Sequence, residues 1–158
     1  MILLDTQVWV WWTEGGEKLS ERHRQIIDTG EAEGIAACAF SVWEVAMLVS
    51  KKRLELREPV QQWLDRVVRI PTLHLLPASP QILLDSTRLP GSFHKDPADR
   101  IIVATARAHS SPLLTTDEKS WLTGTFRASD QRERFRSEAA SDSSSPVIGP
   151  RPARALRR

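Results

Sequence analysis

Short apolar runs alternate with helix-like segments along most of this chain. Pro59 precedes apolar residues at helical spacing, and Asp96-Pro97 has the form of a helix start. Strands joined by helices need right-handed crossovers, which give a mainly parallel sheet with helices on both faces. The alternation therefore predicts an α/β fold. Four runs have the length and composition of buried strands: residues 2–4, 34–40, 73–76 and 112–116.

The length of 158 residues suits one domain of ordinary size followed by a tail. We expect residues 1–136 to form the domain, and residues 137–158, which are rich in Ser, Pro and Arg, to be disordered. No apolar stretch approaches the roughly 20 residues that cross a bilayer. Since no signal peptide precedes the first apolar run, we expect a cytoplasmic protein that does not bind membranes.

The net charge and the cysteine content limit how this protein could bind phosphate groups and which covalent links it could form. The formal net charge is +2, and the four arginines of residues 138–158 exceed Glu138 and Asp142 by the same amount, so the folded part is neutral. Binding to phosphate groups would therefore depend on local basic patches or on metal ions. The single cysteine, Cys38, lies in an apolar run and is expected to be a buried core residue, which excludes disulfides.

Four acidic residues, far apart in the chain, occupy comparable positions in the predicted fold. Asp5 and Asp117 each follow an apolar strand, and ligands of open α/β sheets bind beyond the carboxyl ends of the strands. Glu44 and Asp99 each stand three residues after a cap-like residue, Ser41 and Asp96 respectively. A capping box accounts for either helix start by itself, so the signal for function is the expected convergence of all four carboxylates.

Converging carboxylates repel one another unless a cation neutralises them. Oxygen ligands without paired His or Cys favour Mg²⁺ or Mn²⁺ over zinc. Mg²⁺ takes one or two carboxylates directly, and we assign Asp5 and Asp99 as these ligands. Glu44 and Asp117 would bind metal through water, hold a second ion or orient the attacking water. The chemistry suggested is hydrolysis of a phosphodiester, with in-line attack by an activated water and stabilisation of the phosphoryl charge by the metal.

The motifs that contain these acids resemble those of the PIN-domain ribonucleases, particularly the VapC-type toxins of type II toxin–antitoxin modules. The resemblance covers roughly residues 1–122. It departs from the family pattern at Lys52, where a glycine is usual, at Ala98, where a bulky aromatic is usual, and in the polar segment 124–136, where another apolar strand is usual. The four motifs stand in the family's order: Leu3-Leu4-Asp5-Thr6, Ser41-Val42-Trp43-Glu44, His94-Lys95-Asp96-Pro97-Ala98-Asp99-Arg100 and Leu114-Thr115-Thr116-Asp117.

The resemblance implies a three-layer α/β/α sandwich and an endoribonuclease that depends on Mg²⁺ or Mn²⁺. It also implies a homodimer, and a small antitoxin protein that inhibits the nuclease. Its acidic quartet corresponds to Asp5, Glu44, Asp99 and Asp117. Three further residues would support that quartet: the hydroxyls of Thr6 and Thr115, and the carboxylate of Asp96 near Arg100.

Surface residues suggest where the RNA and the antitoxin would bind. Basic residues that could contact RNA phosphates are Lys51, Lys52, Arg53 and Arg100, with Arg57 close by in the sequence. Tryptophan is enriched at binding hot spots, although a core role is more common for any single one. The expected antitoxin contacts are Trp9, Trp12 and Trp43. The alternative hypothesis is a noncatalytic PIN-like interaction module, in which the carboxylates serve as caps and a tryptophan surface binds a partner.

Overall fold

The computed structural model describes residues 1–89 and 96–116. Backbone contacts divide the chain into Met1–Phe126 and Arg127–Arg158, and everything described here belongs to the first unit. Several predictions lie outside the described residues: the position of Asp117, the domain end at residue 136 and the tail at 137–158.

The central sheet is parallel, as the alternation of strands and helices predicts. Within the described residues, four strands have the order β3-β2-β1-β4. Leu4 is the register partner of both Ala37 and Leu114, so the carboxyl ends of the three neighbouring strands are level. The strands are β1 (Ile2–Leu4), β2 (Ile35–Cys38), β3 (Leu73–Leu76) and β4 (Leu113–Leu114).

Helices fill the connections between these strands, and those predicted after Pro59 and at Asp96-Pro97 are confirmed. Ser20 and Ser79 cap α2 and α5 through their side chains, and Asp96 caps α6, with Pro97 as its first residue. None of the helices in the described ranges has the length and apolar character needed to cross a membrane. The helices are α1 (Thr6–Thr13), α2 (Glu21–Gly30), α3 (Ala39–Ser50), α4 (Val60–Val67), α5 (Pro80–Ser86) and α6 (Pro97–Ala108).

The two faces of the sheet bury different helices, because alternate residues of a strand point to opposite sides. On one face, Leu4 and Ala37 pack in a core cluster with residues of α1, α2, α3 and α4, including Trp9 and Trp63. On the other face, Leu3, Ala36 and Cys38 pack against α6. The expected three-layer α/β/α sandwich is therefore confirmed.

Cys38 is fully buried, as expected of a core cysteine. Its Sγ lies 3.4 Å from the hydroxyl of Thr105 in α6. The Cys38 thiol therefore belongs to the packing between the sheet and α6.

The prediction of a capping box at Ser41 is wrong, because α3 begins at Ala39, two residues earlier than the motif suggests. Strand β2 passes directly into the helix, and its last residue, Cys38, takes the N-cap position without a side-chain hydrogen bond. Ser41 and Glu44 are therefore inside the helix. A capping role does not explain Glu44, and its side chain is free to serve the site described next.

Candidate active site

A pocket of about 310 Å³ opens where β1 ends and α1 begins. Three of the four predicted acids, Asp5, Glu44 and Asp99, line this pocket together. They come from the start of α1, the interior of α3 and the first turn of α6. The other lining residues are Thr6, Gln7, Val10, Trp11, Leu48, Arg53 and Leu54.

Asp5 is the N-cap of α1, and both of its carboxylate oxygens accept hydrogen bonds. Oδ1 accepts from the amide of Thr6 at 2.6 Å, and Oδ2 accepts from the hydroxyl of Thr115 at 2.9 Å. The amide of Asp5 also donates to the carbonyl of Leu114, so β4 holds both ends of the residue. These bonds hold the Asp5 carboxylate in a fixed orientation at the pocket wall.

Thr6 links the carboxylate of α3 to the start of α1. Its Oγ1 lies 2.7 Å from Glu44 Oε2 and 2.8 Å from Ser41 Oγ, and both Thr6 and Ser41 are buried. Because an ionised carboxylate can only accept, Thr6 donates to Glu44 and the hydroxyl of Ser41 then donates to Thr6. The hydroxyl of Thr6 thus contacts the Glu44 carboxylate, and Ser41 joins the same network, which the capping-box interpretation missed.

The pKa of Glu44 is raised above its ordinary value of 4.5, and burial of the carboxyl is the main cause. The hydrogen bond from Thr6 acts in the opposite direction, and the negative charges of Asp5, Asp99 and Asp96 raise the pKa further. The pocket therefore places several negative charges near the partly desolvated carboxyl of Glu44. A divalent cation would reduce both the repulsion between these charges and the cost of burying the Glu44 charge.

Asp99 and Asp96 lie at the start of α6 but differ in position. Asp96 is an exposed N-cap, and its Oδ1 accepts from the amide of Ala98 at 2.8 Å. Asp99 is half-buried in the first turn of the helix and lines the pocket. The predicted helix start is confirmed, and it directs one acid of the pair to the pocket.

The donors of the pocket fit a hard divalent cation. Carboxylates of Asp5, Glu44 and Asp99 share its wall with a hydroxyl, and among the described lining residues there is no His or Cys. Within residues 1–89 and 96–116, no three Asp, Glu, His or Cys side chains lie close enough to hold one ion between them. Mg²⁺ ordinarily takes only one or two protein carboxylates, a number that the lining of this pocket can supply.

The predicted basic residues separate into two groups. Lys51, Lys52 and Arg53 are exposed at the end of α3, and Arg53 lines the pocket. Arg100 instead donates through Nε to the carbonyl of Ser86 at 2.9 Å, which ties α6 to α5. Of these basic residues, Arg53 lies at the pocket wall, whereas Arg100 forms a bond between two helices.

Lys52, the residue before Arg53, has an unusual backbone conformation. Its φ is +54°, in the left-handed region that favours glycine. The amide of Lys52 donates to the carbonyl of Val49, and that of Arg53 donates to the carbonyl of Leu48. These two bonds form a Schellman turn that ends α3. The departure from the family's glycine at this position thus places a lysine where a side chain is strained.

The three tryptophans expected to contact an antitoxin have different surroundings. Trp9 is fully buried and packs edge-to-face on Trp63 with a centroid distance of 4.8 Å, so the expectation of a partner contact is wrong for Trp9. Trp12 is half-buried against the same core. Trp43 is 56% exposed and stacks on Phe40, so it remains available for a partner.

Sequence reasoning also missed the apolar wall of the pocket. Trp11 and Leu48 line it from α1 and α3. Their sequence positions carry the helical spacing of ordinary core residues, so no local signal separates them from the core. Their contribution follows from where the two helices meet.

Residues 2–122 match the PIN domain family. Ribonuclease VapC22 of Mycobacterium tuberculosis is 35% identical over 118 residues, which cover 75% of this chain and 88% of that protein.

Three solved structures share the fold at lower identity. VapBC2 from Rickettsia felis, bound to a DNA fragment from its promoter, has 20% identity and a TM-score of 0.55, and covers 75% of this chain and 90% of its own. VapC20 of Mycobacterium tuberculosis, a toxin that cleaves the sarcin-ricin loop, has 11% identity and a TM-score of 0.53, with coverage of 80% and 97%. FitAB bound to a DNA fragment has 23% identity and a TM-score of 0.50, with coverage of 78% and 90%.

Proposed function

The chain belongs to the PIN-domain family and is related to the VapC ribonucleases, and we propose that it is a metal-dependent endoribonuclease, the toxin of a type II toxin–antitoxin module. The observation that carries this proposal is the shared pocket of Asp5, Glu44 and Asp99 at the carboxyl edge of a parallel sheet. These acids come from three separate elements, and packing of the whole domain is needed to bring them together.

The cation proposed is Mg²⁺ or Mn²⁺, which when bound would stabilise the charge that develops on a phosphoryl group. Asp5 and Asp99 would hold it, and the hydrogen bonds from Thr6 and Thr115 keep the Asp5 carboxylate oriented. Glu44, whose pKa is raised, would accept a proton from the attacking water or hold that water in line. Asp117 is the fourth acid of the proposed site.

Charge at the mouth of the pocket supports an RNA substrate. Arg53 lines the pocket beside the acids, and Lys51 and Lys52 are exposed next to it. Since the bulk charge of the folded part is neutral, this local patch would supply the contacts to phosphates on either side of the cleaved bond. We propose that the patch positions the RNA backbone and that the acids act on the phosphate between.

A protein partner is the second part of the proposal. Solved neighbours of this fold include the VapBC2 and FitAB assemblies, which are toxin–antitoxin complexes. We propose that a small antitoxin inhibits this chain and that the active form is a homodimer. Trp43, which is exposed on α3 and contacts the half-buried ring of Phe40, is the apolar surface that we assign to a partner protein.

The test is cleavage of a structured RNA by the purified protein with Mg²⁺, with Mn²⁺ and with EDTA. The proposal predicts internal cleavage with either metal, none with EDTA, and none by Asp5→Ala at any metal concentration. The control is Asp28→Ala, which removes an exposed carboxylate of α2 and should cleave as the wild type does. Full metal-dependent activity in Asp5→Ala would overturn the proposal.

The noncatalytic interaction module is the competing function, and the exposure of Trp43 favours it. The two hypotheses differ in their response to metal. A nuclease site in which Asp5 and Asp99 hold the cation should bind Mn²⁺ and raise the melting temperature of the protein, because a ligand that binds the folded state stabilises it. An interaction module whose carboxylates serve as caps should show no such rise.

A further inference from the structure

His23 connects two parts of the fold that are far apart in sequence. It is the third residue of α2 and is half-buried. Its Nδ1 lies 2.5 Å from the hydroxyl oxygen of Ser20, the N-cap of the same helix. Its Nε2 lies 3.1 Å from the backbone carbonyl of Thr115, 92 residues later in the chain. The ring therefore joins the start of α2 to the end of β4.

The partners of the ring determine which nitrogen donates. A backbone carbonyl can only accept, so Nε2 carries a proton and donates to Thr115. The hydroxyl of Ser20 can donate or accept, so the bond at Nδ1 can form in either charge state of the ring. The bond to Thr115 is thus available whether or not the imidazole is charged.

Thr115 is the residue that this bond holds, and it is also the residue that orients Asp5. Strand β4 ends at Leu114, so Thr115 lies just beyond its last residue. The side chain of Thr115 is buried, and its hydroxyl donates to Asp5 Oδ2 at 2.9 Å. The position of that hydroxyl depends on the backbone to which His23 donates.

We propose that His23 is a positioning residue for the active site: its bond to the Thr115 carbonyl fixes the Thr115 hydroxyl, which in turn orients the Asp5 carboxylate. The inference rests on the proposed function in taking Asp5 as a cation ligand. Among the described residues His23 is not part of the pocket wall, so it acts through Thr115 and does not contact substrate. Residues that hydrogen-bond to a metal ligand, without binding the metal themselves, fix the orientation of that ligand and so affect metal affinity.

The first test measures the orientation of Asp5 without metal or RNA. Thr6 is the first residue of α1, where an amide has no partner within the helix, so its protection depends on Asp5 Oδ1. In His23→Ala, the Thr6 amide should exchange with solvent about tenfold faster by NMR. His23→Gln keeps a nitrogen donor at a similar reach and should restore slow exchange. The amide of Ala98, bonded to Asp96, should not change in either variant.

The second test measures how tightly the site binds metal. The midpoint of Mn²⁺-induced thermal stabilisation should rise about 10-fold or more in His23→Ala, and His23→Gln should return it toward wild type. Once Mn²⁺ saturates, kcat for RNA cleavage should recover much more than it does in an Asp5 variant. Ser79→Ala is the matched control, since it removes the cap of α5 and so destabilises the fold away from Asp5.

The outcomes separate this inference from the proposed function. If Thr6 exchange and the Mn²⁺ midpoint of His23→Ala equal those of Ser79→Ala, His23 is a structural residue and the inference is overturned. If wild type shows no Mn²⁺ effect and no cleavage, the proposed function fails, while Thr6 exchange still decides whether His23 orients Asp5.

Discussion

Asp5 and Asp96 cap two helices of this protein with the same local chemistry, but they differ in what else contacts them. Each accepts a hydrogen bond at Oδ1 from an amide of the first turn of its helix. Asp96 is exposed. Asp5 also accepts from Thr115 and lines a pocket with Glu44.

This difference shows that an N-cap carboxylate can also serve a functional site when the end of a strand positions it in a shared pocket. Asp5 follows β1, whose carboxyl end is level with those of β2 and β4. Asp96 starts a helix after a long connection and stays outside the pocket wall described here. Matched pairs of residues, one in the pocket and one outside, test whether location or local chemistry determines the role.

The largest effect is expected for the caps themselves. Asparagine caps a helix nearly as well as aspartate, so Asp5→Asn and Asp96→Asn should both change stability by less than about 1 kcal/mol. RNA cleavage should fall roughly a thousandfold in Asp5→Asn, because several kcal/mol of charge stabilisation depend on the bound metal. In Asp96→Asn it should fall less than about tenfold, because that residue influences the site only through its charge. Equal losses in cleavage rate would show that a position in the pocket does not distinguish Asp5 from Asp96.

Glu44 and Glu14 are half-buried carboxylates, and replacing each with glutamine should change the stability of the protein in opposite directions. Because the folded state raises the pKa of Glu44, the folded protein binds more protons than the unfolded one, and stability is lost as pH rises through the raised pKa. In EDTA, Glu44→Gln should match wild type near pH 4 and be more stable at pH 8 in thermal unfolding.

Glu14→Gln should instead destabilise the protein at pH 8. Glu14 Oε1 accepts from Arg66 Nη2 at 2.9 Å, and Oε2 accepts from the amide of Arg57 at 3.0 Å. The expected loss is about 0.5–1 kcal/mol, since the ion pair with Arg66 is replaced by a hydrogen bond between a charged guanidinium and a neutral amide. RNA cleavage should show the reverse order, with a loss of roughly a hundredfold in Glu44→Gln and little change in Glu14→Gln. A destabilised Glu44→Gln at pH 8 would contradict the assignment of Glu44 as a desolvated carboxyl.

Arg53 and Arg69 are exposed arginines inside and outside the pocket. Arg53→Ala should weaken RNA binding by about tenfold at low salt and reduce the salt dependence of binding by about one phosphate contact. Arg69→Ala removes the same charge from the loop before β3, at the opposite edge of the sheet, and should have little effect. Fluorescence anisotropy at several salt concentrations measures both quantities. Equal losses in the two variants would indicate general charge attraction.

Lys52 and Ser110 form the best-matched pair, and substitutions at these two positions should have the smallest effects. Both occupy a Schellman turn at a helix end with positive φ, +54° and +51° respectively. Glycine at either position should raise the free energy of unfolding by up to about 1 kcal/mol, because a side chain is strained in this conformation. Lys52→Gly should also weaken RNA binding a few-fold, whereas Ser110→Gly should not. Unchanged RNA binding in Lys52→Gly would remove Lys52 from the proposed patch.

The arrangement of strands and helices was largely readable from the sequence, because each element has a local signal. Apolar runs marked β1 and β3, and Asp96-Pro97 marked the start of α6. The error at α3 has a physical cause. Ser41 and Glu44 match a capping box, but β2 runs into the helix without a loop, so the cap falls at Cys38 and both side chains turn toward Thr6.

The candidate site is predictable where an acid stands at the end of a strand or near the start of a helix, and it is not predictable where contacts are distant in sequence. Asp5, Glu44 and Asp99 were chosen from position and residue type, and they line one pocket. His23 had no local signal, because its partner Thr115 belongs to the opposite end of the domain. Trp9 was assigned to the surface because residue type alone does not distinguish a core tryptophan from a binding one.

The most direct test of the central claim is the location of Mn²⁺ by anomalous diffraction from crystals soaked in the metal. The account predicts a peak in this pocket within direct reach of Asp5 and Asp99, and its loss in Asp5→Asn crystals. A peak on another face of the protein, or an unchanged peak in Asp5→Asn, would contradict the claim that these carboxylates form one cation site.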